Sequence, residues 1–292
     1  MGLDLHGVQL LLRARKQGVQ FGNVLTIGRL VLDVFPNKIQ QLLQAHGLPD
    51  EKFRGGGPAS GQTEDFFRSL GATSVQSLDA SAYEGASVVH DLNLPISAEW
   101  KGRFDVVYDG GTLEHVFNFP VALRSCMEMV KVGGHLFLDS PGNNWFGHGF
   151  YQFSPELFYS ACSEENGYEV VEMIAHPTGP QGRWYRVANP RVVRSRVELI
   201  SYTLIHLMTH ARRVAEREVF KQMPQQSDYT VAWQAGAPAT QPLDRAAGPL
   251  VRFVGRRAPA LAALLKAGKT GWNFYRSHSL RNRRFFVPIS RD

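Results

Sequence analysis

Apolar and polar positions along the chain alternate between short apolar runs and amphipathic stretches. Residues 24–27 form a strand-like run ended by Gly28, and residues 37–46 (NKIQQLLQAH) have helical spacing with Gly47 behind them as a stop. Residues 51–61 hold three consecutive glycines, a proline and charges, which predicts a surface loop; no strand precedes them, so they lack the context of a phosphate cradle. Thr63 is expected to cap a short helix (EDFFRSL) closed by Gly71. Strand-like runs then end at Asp79 (residues 74–78) and at Asp91 (residues 86–90). The best-organised stretch is 104–141, FDVVYDGGTLEHVFNFPVALRSCMEMVKVGGHLFLDSP. A strand over 104–108 is followed by Asp109-Gly110-Gly111. An amphipathic helix carries Val121, Leu123, Cys126, Met127 and Val130, with Lys131 in its last turn and Gly133-Gly134 as its stop. A second strand over 135–138 ends at Asp139. Further on, Ser154-Pro155-Glu156 opens a helix and residues 168–175 read as a strand. Residues 191–220 read as mostly helical, and 228–234 as a last strand.

Strands alternating with helices or turns predict an α/β fold, a doubly wound, Rossmann-like sheet with helices on both faces. Right-handed crossovers bring the C-terminal ends of the parallel strands to one edge, where such sheets bind ligands. Gly28, Asp79, Asp91, Asp109 and Asp139 each follow a strand and should gather there. The expected organisation is an N-terminal helix (1–20), the sheet domain (21–235) and a C-terminal extension (236–292).

Composition changes this picture only at its ends. The hydrophobic fraction of 43% suits a sizeable core, and no apolar run is long enough to span a bilayer. The N-terminus has charges after its apolar part, so it reads as an amphipathic lead-in helix, not a secretory signal, and His6 spoils a myristoylation motif. Cys126 and Cys162 make no disulfide framework and read as core thiols in a reducing cytoplasm. From Leu250 to Asp292, ten lysines and arginines stand against one acid, so the tail is strongly basic and the remainder mildly acidic. A solvated or packed extension is the plain expectation for that tail. Peripheral contact with an anionic membrane comes second and nucleic acid last.

The segments FDVVYDGGTLEHV and ALRSCMEMVKVGGHLFLDSP resemble the fourth and fifth strands, with the intervening helix, of the class I S-adenosylmethionine-dependent methyltransferases. The likeness spans residues 24–175. It implies that Asp79 accepts hydrogen bonds from the ribose hydroxyls, that Asp91 meets the adenine amino group, and that the Leu92 amide meets the ring. Asp109 and Gly110 would complete the cofactor-binding set. At the first strand, VLTIGRLVLDV keeps only Gly28 of the family's glycine run. Leu30 and Leu32 stand at the later glycine positions and Thr26 replaces the usual acid, leaving Arg29 to hold the methionine carboxylate by a bidentate contact. This departure sustains a second reading, a degenerate fold that binds a ligand or partner without catalysis.

Methyl transfer requires in-line alignment of an acceptor and, for a hydroxyl, removal of its proton. The resemblance places the acceptor near Glu114 and His115. His115 is the candidate base, with helix capping as its structural alternative, and Glu114 would orient it or touch substrate. Residues 143–153 (NNWFGHGFYQF) predict an acceptor pocket or lid with His148, Tyr151 and Gln152 as polar contacts, against the alternative that the aromatics pack on the sheet edge. The expected acceptor is a small molecule or glycan-type hydroxyl. No metal site is expected: Glu114-His115 alone is too small a set, and His206 and His210, four apart on an expected helix, lack a third ligand.

Overall fold

The computed structural model describes residues 2–50, 53, 62–229 and 259–291. The expected loop at 51–61 therefore lies outside the described residues except for Phe53. So does most of the expected last strand at 228–234, of which Asp228 and Tyr229 are helical.

In chain order the elements are β1 (Gly2–Leu3), α1 (Leu5–Lys16), β2 (Asn23–Ile27), β3 (Val31–Leu32), α2 (Pro36–Ala45), α3 (Gln62–Ser69), β4 (Ser74–Asp79), β5 (Val88–Val89) and β6 (Phe104–Gly110). They continue as α4 (Phe119–Met129), β7 (Val130–Asn143), α5 (Pro155–Ala161), β8 (Tyr168–Pro177), β9 (Trp184–Val187), α6 (Pro190–Val193), β10 (Ile205–Arg213), α7 (Pro259–Ser277) and β11 (Phe286–Ile289). Among the described residues one nine-stranded sheet runs β11-β9-β8-β10-β7-β6-β2-β4-β5, and β1 pairs with β3 in a small parallel sheet of two. The parallel strands β5, β4, β2, β6 and β7 lie in the doubly wound order 3-2-1-4-5, so the chain reverses direction between β2 and β6. β10 is inserted antiparallel between β7 and β8.

Alternation along each strand divides the core in two. Val24, Val106, Tyr108, Phe137, Ile174 and Met208 face α1, α2 and α3, where Leu10, Leu11, Ile39, Leu43, Phe66 and Phe67 meet them. Leu25, Ile27, Val107, Leu136, Leu138, Met173, Ala175 and Leu207 face α4 and α5, against Leu123, Cys126, Met127 and Phe158. Helices on both faces of a doubly wound sheet are thus borne out. Both cysteines are buried and free. No helix among the described residues is long and apolar enough to cross a membrane.

Several local expectations are corrected. Residues 205–213, expected in a helix, form β10, because the gap between β7 and β8 supplies partners on both edges. Thr63 lies inside α3, not at its cap, and its hydroxyl donates to the Leu30 carbonyl at 2.9 Å. α4 stops at Met129, so Lys131 belongs to β7 and pairs with Asp105. Gly133, with φ of 87°, makes an irregularity inside that strand where a helix stop was expected. The lead-in helix is a core element: α1 buries Val8, Leu10, Leu11, Leu12 and Ala14, and Arg13 reaches Glu172 of β8 at 3.3 Å. The basic tail also returns to the fold, since β11 pairs with β9 at the sheet's edge.

Close packing under α1 sets a test. A Cβ on Gly7 would stand 2.5 Å from the Tyr108 hydroxyl and 2.7 Å from Leu3 Cδ1. Alanine on an open helix gains about 1 kcal/mol over glycine. Here, Gly7→Ala should instead destabilise by about 1–3 kcal/mol through overpacking, measured by urea denaturation.

Candidate functional site

The site is built where β2, β4, β5, β6, β7 and β8 end, with the start of β10 beside them. Gly28, φ 76°, turns the chain out of β2 while its N–H donates to the Leu78 carbonyl at 2.7 Å. Past the neighbouring strands stand two carboxylates. Asp79 is half-buried, and its Oδ1 accepts only a long 3.4 Å bond from the Ser81 N–H. Asp91 is exposed and accepts from the Asn93 backbone and side chain at 2.9 and 2.8 Å, bonds that hold its carboxyl below the usual range. Leu92 is buried in the core beneath it. Oxygens with open lone pairs at Asp79 and Asp91 fit the hydroxyls and amine of an adenosine.

The ground beside Gly110 is different. A Cβ there would meet the Gly2 carbonyl at 3.0 Å and Leu30 Cδ2 at 3.3 Å, so β1 and Leu30 occupy the space next to that glycine. Arg29 is committed elsewhere: its guanidinium donates to the carbonyls of Glu84 and Gly85 at 2.8 and 3.2 Å and lies 3.5 Å from Glu64. Asp79 and Asp91 thus have oxygens open to a ligand, while Arg29 and the space beside Gly110 are taken up by the chain itself.

Within the end of β6, Asp109 turns inward. It is fully buried, its Oδ1 accepts from the Thr112 N–H at 3.0 Å, and its Oδ2 has no partner among the described residues. Burial first, then the charge of Glu114, push its carboxyl well above the usual range. A single 3-10 turn, Leu113–His115, projects the next two groups. Glu114 is buried with Oε2 unpartnered and Oε1 3.5 Å from His148 Nε2, and burial lifts its carboxyl to about 7. His115 is exposed; partial burial and neighbouring His148 lower its pKa. The Glu114 carbonyl accepts the N–H groups of Phe150 and Tyr151 at 2.9 and 3.2 Å, which folds residues 144–153 over the turn. Only glycine fits at 149, where a Cβ would stand 2.9 Å from that carbonyl and 3.1 Å from His115 Nδ1.

The loop therefore delivers His148 to Glu114 and His115, their rings 5.1 Å apart for the two histidines. It does not deliver Tyr151, whose hydroxyl donates to the Phe117 carbonyl at 2.7 Å while its ring packs near Phe119 and Phe153. Gln152 Oε1 accepts from the Trp145 N–H at 3.2 Å and braces the loop. Gln152 also borders a cavity of about 290 Å³ lined by Asn143, Phe153, Ala175, Ile205 and Leu207.

A second polar group, unforeseen from the sequence, lies on the α1 side of β7, β8 and β10. His206 Nδ1 is 2.9 Å from Asp139 Oδ1. Burial would raise Asp139, but the charge and hydrogen bond of His206 outweigh it and its pKa is lowered. Burial likewise pulls His206 down, and Asp139 reverses it, so His206 is raised. His176 is cross-strand to His206 and fully buried. His6 stacks on His176 at 3.9 Å and is fixed in one tautomer. Trp184 Nε1–H donates to His6 Nδ1 at 2.8 Å, so the His6 proton sits on Nε2, 2.8 Å from the Gly179 carbonyl. Trp145 stands edge-on to both His148 and His206, 4.8 Å from each, and joins the two groups.

No family model matches the chain. Two curated relatives, the ubiquinone biosynthesis O-methyltransferases of Pseudomonas aeruginosa strains LESB58 and PAO1, are each 25% identical over 189 residues, 54% of this chain and 81% of theirs. Among solved structures, a Burkholderia thailandensis 1,6-didemethyltoxoflavin-N1-methyltransferase with bound S-adenosylhomocysteine is similar at 14% identity and a TM-score of 0.40, over 71% of this chain and 77% of that one. The Bradyrhizobium japonicum N-methyltransferase NodS with S-adenosylhomocysteine matches at 14% and 0.40, over 73% and 89%.

The raised carboxyl of Glu114 has a consequence for stability. Its folded value of about 7 lies above the unfolded 4.5, so the native state binds the extra proton in between. Its contribution is complete below pH 4.5 and lost as pH rises through 7. Glu114→Gln should therefore be more stable than the parent at pH 8 by on the order of 3 kcal/mol. That advantage should close below pH 4.5, as read from denaturant curves at a series of pH values.

Proposed function

We propose that this chain, which has the class I methyltransferase fold, transfers a methyl group from S-adenosylmethionine to an oxygen of a small-molecule or glycan-type acceptor. The observation that carries the reading is the pair of open carboxylates, Asp79 at the end of β4 and Asp91 past β5, on one side of the switch point between β2 and β6, with Glu114 and His115 beyond β6 on the other. The sequence relationship to ubiquinone biosynthesis O-methyltransferases supports the choice of oxygen. When bound, S-adenosylmethionine supplies a methyl group already activated by its sulfonium.

The chain's own residues would do the rest. Asp79 accepts from the ribose hydroxyls and Asp91 from the adenine amine, with the Leu92 amide on the ring. His115, its pKa lowered, is neutral at pH 7 and able to take the acceptor's proton on a ring nitrogen. Glu114, poised to titrate near 7, holds an acceptor hydroxyl as donor or acceptor of a hydrogen bond. His148 closes the loop side, and the cavity beside Gln152 gives an apolar acceptor body room.

One observation favours the non-catalytic alternative: Leu30 and Gly2 lie against Gly110. Calorimetry with S-adenosylhomocysteine separates the two readings. Uptake by the parent, weakened about tenfold in Asp79→Asn, supports the enzyme, and no uptake leaves a binding module. With turnover established, His115→Ala should lower kcat by about 10²–10⁴ at unchanged cofactor affinity. Lost affinity would assign the ring to the cofactor instead.

The basic tail adds a peripheral contact with anionic membrane to this reading. In α7, Trp272 and Phe274 are exposed on the same helix as Lys269 and Arg276. Cosedimentation with phosphatidylserine vesicles should fall when residues 259–277 carry Trp272→Ser and Phe274→Ser, and equal pelleting would remove the contact.

A further inference from the structure

The group formed by Asp139, His176 and His206 is a built site that methyl transfer does not use. One donor atom from each of the three lies within 4.8 Å of the others. They come from three different strands, β7, β8 and β10, and share the face covered by the start of α1. His176 is the decisive member. Its Nδ1–H donates to the Pro177 carbonyl at 3.0 Å, which leaves Nε2 as a bare lone pair. That atom is buried and has no partner among the described residues, an arrangement that is unfavourable unless something fills it.

We propose that Asp139, His176 and His206 bind a first-row divalent transition cation of the zinc or ferrous type. Two imidazoles and one carboxylate on one side of an ion are a recurrent donor set for such metals. A histidine whose other ring nitrogen donates to a backbone carbonyl has the outer support usual for a metal ligand. The 2.9 Å between His206 Nδ1 and Asp139 Oδ1 also fits. Two donors at about 2.0–2.1 Å from one ion, at right angles, stand roughly 2.9 Å apart. His206 is partly exposed, which leaves remaining coordination positions to solvent or a ligand. Neighbouring His6 is spent between Trp184 and Gly179 and takes no part in coordination.

The site is distinct from Glu114, His115 and His148, a second three-residue group whose members also approach within 4.8 Å. It does not depend on methyl transfer. Cobalt(II) titrated into the chelator-treated full chain distinguishes the two groups through its visible absorption. One equivalent should bind with a tetrahedral or five-coordinate spectrum and raise the melting temperature. His206→Ala, at the partly exposed ligand, should weaken binding about 100-fold while the chain stays folded, and His176→Gln should do the same. His148→Ala should leave the spectrum unchanged. Absence of a cobalt spectrum in the parent overturns the proposal and leaves an Asp139–His206 ion pair. Loss of the spectrum in His148→Ala, with retention in His206→Ala, overturns it in favour of the other group.

Discussion

β6 and β7 are covered on both faces, so the polar residues at their C-terminal ends cannot turn to water and must be answered from within. Three acids meet that constraint in three ways. Asp109 takes a backbone N–H, and its burial pushes its carboxyl well above the usual range. Asp139 keeps its charge because His206 sits on it. Glu114 stands between these, poised to titrate near neutral pH with one oxygen unanswered. The electrostatics at this edge follow from how each burial is compensated: by a raised carboxyl pKa, by an ion pair, or by titration near neutral pH.

The same constraint explains what could be read in advance. Val106, Val107 and Tyr108 in β6, and Leu136, Phe137 and Leu138 in β7, are continuous apolar runs because each strand is buried on both sides, and short runs between turns identify such strands. The acids behind them were legible for the same reason. β10 was not. Its two faces carry His206, Met208 and His210 on one side and Leu207, Thr209 and Ala211 on the other, with no polar side to mark period two. The histidine spacing of four then imitated a helix. Asp139, His176 and His206 could not be joined from the sequence at all, since their meeting depends on β10 entering between β7 and β8, and sheet order is a property of the whole chain. Tyr151 and Gln152 also have bracing contacts that the sequence does not show: the Tyr151 hydroxyl donates to the Phe117 carbonyl, and Gln152 Oε1 accepts from the Trp145 N–H.

The N-terminal segment matters more than its composition suggests. β1 pairs with β3 next to the turn after β2, and its carbonyl at Gly2 abuts Gly110. α1 then roofs the histidine group with His6 and anchors to β8 through Arg13 and Glu172. One short stretch of chain thus borders both the cofactor edge and the histidine cluster, and its position sets the space available at each.

The place of β10 also governs the order in which the molecule can assemble on the ribosome. β7 and β8 emerge first and never pair with each other; each presents an open edge until residues 205–213 have been made. The unfilled slot is a nascent-chain liability, an exposed pair of edges inviting foreign strands. Its closure delivers His206 to Asp139 and His176 in the same movement. The strand that fills the slot between β7 and β8 is thus the one that carries His206 to the cluster, and a chain truncated before residue 205 would have neither.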